Sequence, residues 1–221
     1  MQYEAMVEAY KNDPVSFVID FGKLKNITAN GMDFSFDGRF EFTRDLLWLF
    51  QRRDKVIVAK KRKQGVSWNL VAFAAWHLFM NPDSKIMFMT FNKTSANATY
   101  DRMKFFLEAL SNDLEYTLDH PSDHKAFLDI EPPFTLFNGS VFAATSHTNP
   151  LGEVPDVVLF DEVQAFSSGN GDMARHLFQI AKKSIMVGTM FNAEEHEHNL
   201  TWFDPYVDSM QFVDDFRVVR L

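Results

Sequence analysis

VVLFDE, residues 157–162, sets four apolar residues directly before two adjacent carboxylates. A continuous apolar run bounded by turn signals predicts a strand buried on both faces of a parallel sheet. Carboxylates at the end of such a strand stand where open α/β sheets place their ligands. There Asp161 would hold a Mg²⁺, directly or through water, and Glu162 would orient and deprotonate an attacking water. That pairing is the Walker B arrangement of nucleotide hydrolases. The competing interpretation is an edge strand that ends in solvated charges.

The flanking sequence repeats the pattern. Residues 55–59 (KVIVA), 85–90 (KIMFMT) and 184–189 (SIMVGT) are further short apolar runs, and residues 212–221 suggest one more strand. Residues 40–51, 68–80, 95–110 and 173–183 carry helical spacing; 68–80 (WNLVAFAAWHLFM) is apolar nearly all round, as a buried helix is. Asn138-Gly139 between residues 134–137 and 141–144 signals a β-hairpin. Short apolar strands alternating with helices predict an α/β fold with a mainly parallel sheet, helices on both faces and an added hairpin. Residues 1–50 read as a helical lead-in packed on a core of residues 51–221, a single domain overall. Gly169-Asn170-Gly171 reads as a flexible connection near the ligand edge, suited to a lid. Thr90-Phe91-Asn92 reaches the same edge, within reach of nucleotide or DNA.

Composition narrows the class. Of 221 residues 46% are hydrophobic and 24 are Phe, enough for a full core. The absence of cysteine excludes disulfides and thiolate metal sites. The amino terminus is charged and lacks the apolar centre of a signal peptide, and no apolar run approaches the roughly 18 residues of a membrane span. These features predict a soluble, intracellular protein. A net charge of −8 is unlike a dedicated duplex-binding domain. Positive charge is instead local, with Arg52, Arg53, Lys55, Lys60, Lys61, Arg62 and Lys63 close together.

Between the predicted strand at 55–59 and the helix at 68–80 lies KKRKQGVS, residues 60–67. A strand, a polar loop with one Gly and a helix form the layout of a phosphate-binding loop, in which backbone N–H groups face the anion. Gly65 and Ser67 match the second Gly and the hydroxyl of GxxxxGK[ST], but Val66 stands where Lys is usual and Lys60 where the first Gly is usual. A loop of this kind curls around its ligand. A long lysine stem at position 60 would then reach the β/γ-phosphates from the other side, with Arg62 or Lys63 as a second cation. The alternative is a solvated basic turn or a patch for nucleic-acid backbone.

Taken together, KKRKQGVSW (60–68), NGSVFAATSHTNPLGEVPDVVLFDEV (138–163), SIMVGTM (184–190) and the opening NDPVSFVIDF resemble the ATPase domain of bacteriophage large terminase subunits, the DNA-packaging motors of tailed phages. The resemblance spans residues 10 to 200 or so. It implies a RecA-like P-loop NTPase fold of ASCE type, ATP and Mg²⁺ as ligands, and ATP hydrolysis driving double-stranded DNA into a procapsid. It puts Lys60, Lys61, Arg62, Lys63, Gln64, Gly65, Val66, Ser67 and Trp68 in the Walker A loop and Ser67 and Asp161 at the metal. Glu162 becomes the base, Lys60 the phosphate-binding lysine, and Thr189 the γ-phosphate sensor of the coupling motif. Its implied partners are DNA, a portal protein, a small terminase subunit and a homo-oligomeric ring, which an isolated domain need not form. The implied location is the host cytoplasm, at the portal.

The match has departures. Leu151 precedes Gly152 where many relatives carry an arginine finger; Arg175, Arg102 or Arg44 would have to replace it. The family's adenine-contacting Gln has no clear counterpart: Arg44 lies near the expected place, and Gln51 is too close to the strand. No nuclease domain fits within this length. His196 and His198, among acids in EEHEH, form a candidate metal site or a solvated loop, and Asp214-Asp215 a turn. A helicase-like translocase and a P-loop module that binds without turnover are the alternative functions.

Overall fold

The computed structural model describes residues 3–21, 23–25, 33–35, 43–61, 64–115, 133–136, 138–146, 151–190, 203–211 and 215–221. Arg62, Lys63, His196, His198 and Asp214 lie outside the described residues. In chain order, α1 (Tyr3–Tyr10) and α2 (Pro14–Phe21) precede an antiparallel pair, β1 (Lys23–Lys25) and β2 (Asp33–Ser35). Then come α3 (Thr43–Arg52), β3 (Lys55–Lys60), α4 (Val66–Met80), β4 (Lys85–Met89) and α5 (Lys93–Glu115). The hairpin β5 (Phe134–Thr135) and β6 (Val141–Thr145) follows, then β7 (Val157–Phe160) and a 3₁₀ turn (Val163–Ala165). The chain ends with α6 (Ser168–Ile180), β8 (Lys183–Thr189), α7 (Phe203–Met210) and β9 (Arg217–Arg220).

The main sheet has the order β5-β6-β4-β7-β8-β3-β9. Among the described residues of this sheet only β5 pairs antiparallel, so the predicted parallel sheet with an added hairpin is what forms. Between their ends the central strands are apolar because both faces are covered. Val56, Val58, Ile86, Phe88, Leu159 and Val187 enter one core with α2, α3, α4 and α5. Ile57, Ala59, Met87, Met89, Phe160 and Met186 enter a second with α6 and α7. Each of these side chains larger than Ala contributes about 2 kcal/mol by leaving water. One strand, β8, separates β3 from β7, as in RecA-like P-loop folds, and this brings residues 60, 162 and 189 to one sheet edge.

The lead-in docks on α4. Phe17 packs against Phe79 with ring centroids 6.2 Å apart, and the Trp76 indole donates to the Tyr10 carbonyl at 2.9 Å. The Gln51 amide donates to the Asn12 carbonyl at 3.1 Å, a structural use.

The basic run divides between the two sheet edges. At the amino edge Lys183 Nζ donates to the Phe50, Gln51 and Arg53 carbonyls, and Lys55 Nζ donates to the Phe178 carbonyl at 2.6 Å and to that of Ala181. Both lysines thereby cap helix C-termini, where cations are favoured. Lys60 lies at the opposite end of β3, roughly 16 Å away at strand rise.

One reading changes, and one helix is added. Gly169–Gly171 is the first turn of α6, not a loop or lid: Ser167 caps the helix by accepting from Asn170 N. Residues 203–210 form α7, whose Phe203 ring fills the space beside Gly188. A Cβ on Gly188 would come within 2.4 Å of that ring. Gly188→Ala is therefore expected to destabilise the fold by about 1–3 kcal/mol. Adding Phe203→Leu should recover part of the loss, as measured by urea unfolding.

Near the end of α4, burial lowers the His77 pKa from 6.5 to about 4, with the Lys183 ammonium acting in the same direction. The unfolded chain takes up this proton near pH 6.5 and the folded chain only near pH 4. Between these values the histidine costs stability progressively as pH falls, to a total on the order of 3 kcal/mol. Unfolding of His77→Gln at pH 7 and pH 4.5 should show a smaller pH difference than the wild type.

Candidate nucleotide site

Three strand ends and one helix start converge at the carboxyl edge. Lys60 closes β3 opposite Thr189 of β8, while Asp161 and Glu162 follow β7. Ser67 lies in the first turn of α4, behind Gly65. Gly65 takes a left-handed backbone (φ 72°) that turns the loop into the helix.

Lys60 is 4% exposed. Its Nζ donates to Glu162 Oε1 at 2.8 Å and to Thr189 Oγ1 at 3.2 Å. The Thr189 hydroxyl in turn donates to Glu162 Oε2 at 3.3 Å. Gln164, in the 3₁₀ turn, donates from Nε2 to the same Oε2 at 2.5 Å and accepts from Thr189 N at 2.8 Å. Burial pushes the Glu162 carboxyl up, but the hydrogen bonds from Lys60, Gln164 and Thr189 and the Lys60 charge outweigh it and hold the pKa below the usual carboxylate value. Glu162 itself has a left-handed backbone, φ 54°, an uncommon conformation for a side-chain-bearing residue.

Asp161 is buried beside this network. Burial raises its pKa, with the Glu162 charge adding to the effect; the Ser67 hydroxyl bond, Lys60 and Arg102 oppose it. A buried carboxylate next to a hydroxyl is a hard oxygen donor pair, incompletely compensated, and it suits a Mg²⁺ ion. Among the described residues no group of three His, Cys, Asp or Glu forms a separate metal cluster.

The loop residues differ in how they stand. Lys61 is exposed, and its N–H donates to Gln64 Oε1 at 3.0 Å, so Gln64 braces the loop. The Val66 side chain is buried in the first core and leaves only its backbone for a ligand. Trp68 packs at the rim of that core with the Arg102 guanidinium 5.9 Å from its ring centroid. Ser67, Asp161, Glu162 and Arg102 line a cavity of about 150 Å³ with Thr90 and Phe91. Asn92 caps α5 by accepting from Ser95 N at 2.8 Å. Of the arginines considered in place of the missing finger, Arg102 reaches this cavity, Arg175 pairs with Asp172, and Arg44 is exposed on α3. Leu151 packs on the second core.

Sequence reasoning passed over Gln164. Its signal was a lone polar side chain between Val163 and Phe166, both buried, directly after the acidic pair.

No family model matches the chain, and no curated protein matches it significantly. Solved structures define the class of fold: that of bacteriophage large-terminase ATPase domains. The large terminase ATPase domain of Thermus phage P74-26 superposes with a TM-score of 0.54 at 15% identity, covering 79% of this chain and 78% of that one. The HK97 large terminase gives a TM-score of 0.66 at 14% identity over 96% of this chain, which spans only 43% of the HK97 protein. A large terminase from a thermophilic bacteriophage, solved in complex with ADP, gives 0.53 at 12% identity over 82% of this chain and 45% of that one.

Lys60 and Glu162 should prove energetically coupled in the absence of ligand. In a double-mutant cycle of Lys60→Met and Glu162→Gln, the coupling measured by urea unfolding should be about 1–3 kcal/mol. A cycle that closes additively would show that the pair is not formed.

Proposed function

We propose that this chain is an ATP hydrolase, the ATPase part of a phage large terminase that moves double-stranded DNA into a procapsid. The observation that carries the reading is the meeting of Lys60 and Glu162 at 2.8 Å, beside the Ser67–Asp161 pair, on the carboxyl edge of a RecA-like sheet. The fold it shares with terminase ATPase domains, one solved in complex with ADP, supports the choice of nucleotide.

Ser67 and Asp161 would hold Mg²⁺. The ion, when bound, would neutralise and orient the phosphate oxygens. The N–H groups opening α4 and the Lys60 ammonium would bind the β- and γ-phosphates, with Arg62 as a further cation. Transfer of Lys60 from Glu162 to phosphate frees a carboxylate oxygen to take a proton from water. That water attacks the γ-phosphorus, the bond to the β-phosphate oxygen breaks, and ADP and phosphate leave. Thr189, bonded to both Lys60 and Glu162, would register the exchange and pass it to β8. Arg102 would supply positive charge from within the same chain. In the assembled motor the partners would be a portal, a small terminase subunit and further copies of this chain, working in the host cytoplasm.

Glu162→Gln is expected to lower ATP turnover by roughly 10²–10⁴-fold while leaving ATP binding intact. Lys60→Ala should weaken binding itself. Steady-state hydrolysis and fluorescent-nucleotide titration would check both, and wild-type turnover in Glu162→Gln would end the catalytic assignment. Stimulation of turnover by portal-bearing procapsids and double-stranded DNA would test packaging.

A further inference from the structure

Gln164 does not line the cavity formed by Ser67, Asp161 and Glu162, yet it bonds both Glu162 and Thr189. The turn that carries it is closed by Ala165 N donating to the Glu162 carbonyl at 3.0 Å and Phe166 N donating to that of Val163 at 3.1 Å. Val163 and Phe166 anchor the turn in the second core. The amide between them is therefore aimed back at the end of β8. It donates to Glu162 Oε2 and accepts from Thr189 N. Only this orientation works, because a flipped amide would set oxygen against carboxylate and NH₂ against N–H. Glu162 and Thr189 are thus joined twice, once through the Thr189 hydroxyl and once through Gln164.

We propose that Gln164 is a positioning residue that ties the place of the Glu162 carboxylate to the backbone at the end of β8. When Glu162 leaves Lys60 for the attacking water, the Gln164 amide follows and the Thr189 N–H loses or changes its acceptor. This rests on the nucleotide-hydrolase reading. It adds a second route, through the backbone, by which hydrolysis is reported to β8.

The test uses the full chain with Gln164→Met, which removes both bonds, and Gln164→Glu, which keeps an acceptor for Thr189 but faces Glu162 with a carboxylate. Amide hydrogen exchange at Thr189 is followed by NMR with and without ATP-γ-S, and kcat and KM are measured for ATP. In the nucleotide-free wild type the Thr189 amide should be protected, with exchange altered on adding ATP-γ-S. Gln164→Met should speed its exchange roughly tenfold and abolish the nucleotide response. It should also lower kcat by about tenfold or more with KM within about twofold of wild type. Gln164→Glu should keep the protection and still lower kcat, and it carries the test should the Met variant fail to fold. Unchanged Thr189 exchange in nucleotide-free Gln164→Met overturns the assignment, as does a raised KM with kcat intact. A wild type that binds no nucleotide sinks the hydrolase reading instead, and the nucleotide-free exchange still decides whether Gln164 holds Thr189.

Discussion

An ammonium that is 4% exposed persists only beside an anion, because an unpaired charge removed from water costs several kcal/mol. Lys60 meets this condition through Glu162, a residue 102 positions later in the chain and two strands away. The arrangement of the whole carboxyl edge follows from it. β8 must lie between β3 and β7, and its Thr189 must stand level with Lys60 to fill the gap. A slip of β8 by one residue would send every side chain to the other face and leave the hydroxyl out of reach. The polar cluster and the apolar alternation beneath it therefore demand the same register.

The strands were readable because burial on both faces leaves an unbroken apolar run, as in β3, β4, β7 and β8. The helix α4 was readable for the same reason, and Asn138-Gly139 announced the hairpin through its turn chemistry. That Lys60, Asp161-Glu162 and Thr189 fall at three strand ends was readable too. What escaped was governed by tertiary contact. Two glycines in 169–171 argue for a loop by propensity, yet the Ser167 cap and the buried Ala174, Leu177 and Phe178 favour a helix there. The helix α7 carried a weak signal, Phe203, Tyr206 and Val207 at helical spacing with Pro205 in the first turn, too short to stand out. Gln164 escaped because its role is defined by two partners, one of them a backbone group 25 positions away.

Lysine does unlike work at the two edges of this sheet. At the amino edge Lys55 and Lys183 satisfy helix carbonyls, and burial lowers both pKa values. At the carboxyl edge Lys60 faces an acid and a hydroxyl. A count of charges along residues 52–63 therefore overstates any single basic surface, since a strand carries its two ends to opposite sides of the domain.

Glu162 joins its chemistry to a backbone in the left-handed region, a conformation that costs about 1–2 kcal/mol for a residue with a side chain. Its N–H bonded to Asp161 Oδ1 and its carbonyl bonded to Ala165 N hold it there. β7 ends on one side of the residue, and the 3₁₀ turn leading to α6 begins on the other. The chain thus turns at this one residue directly after the buried strand, and the 3₁₀ turn anchored by Val163 and Phe166 carries it on to α6.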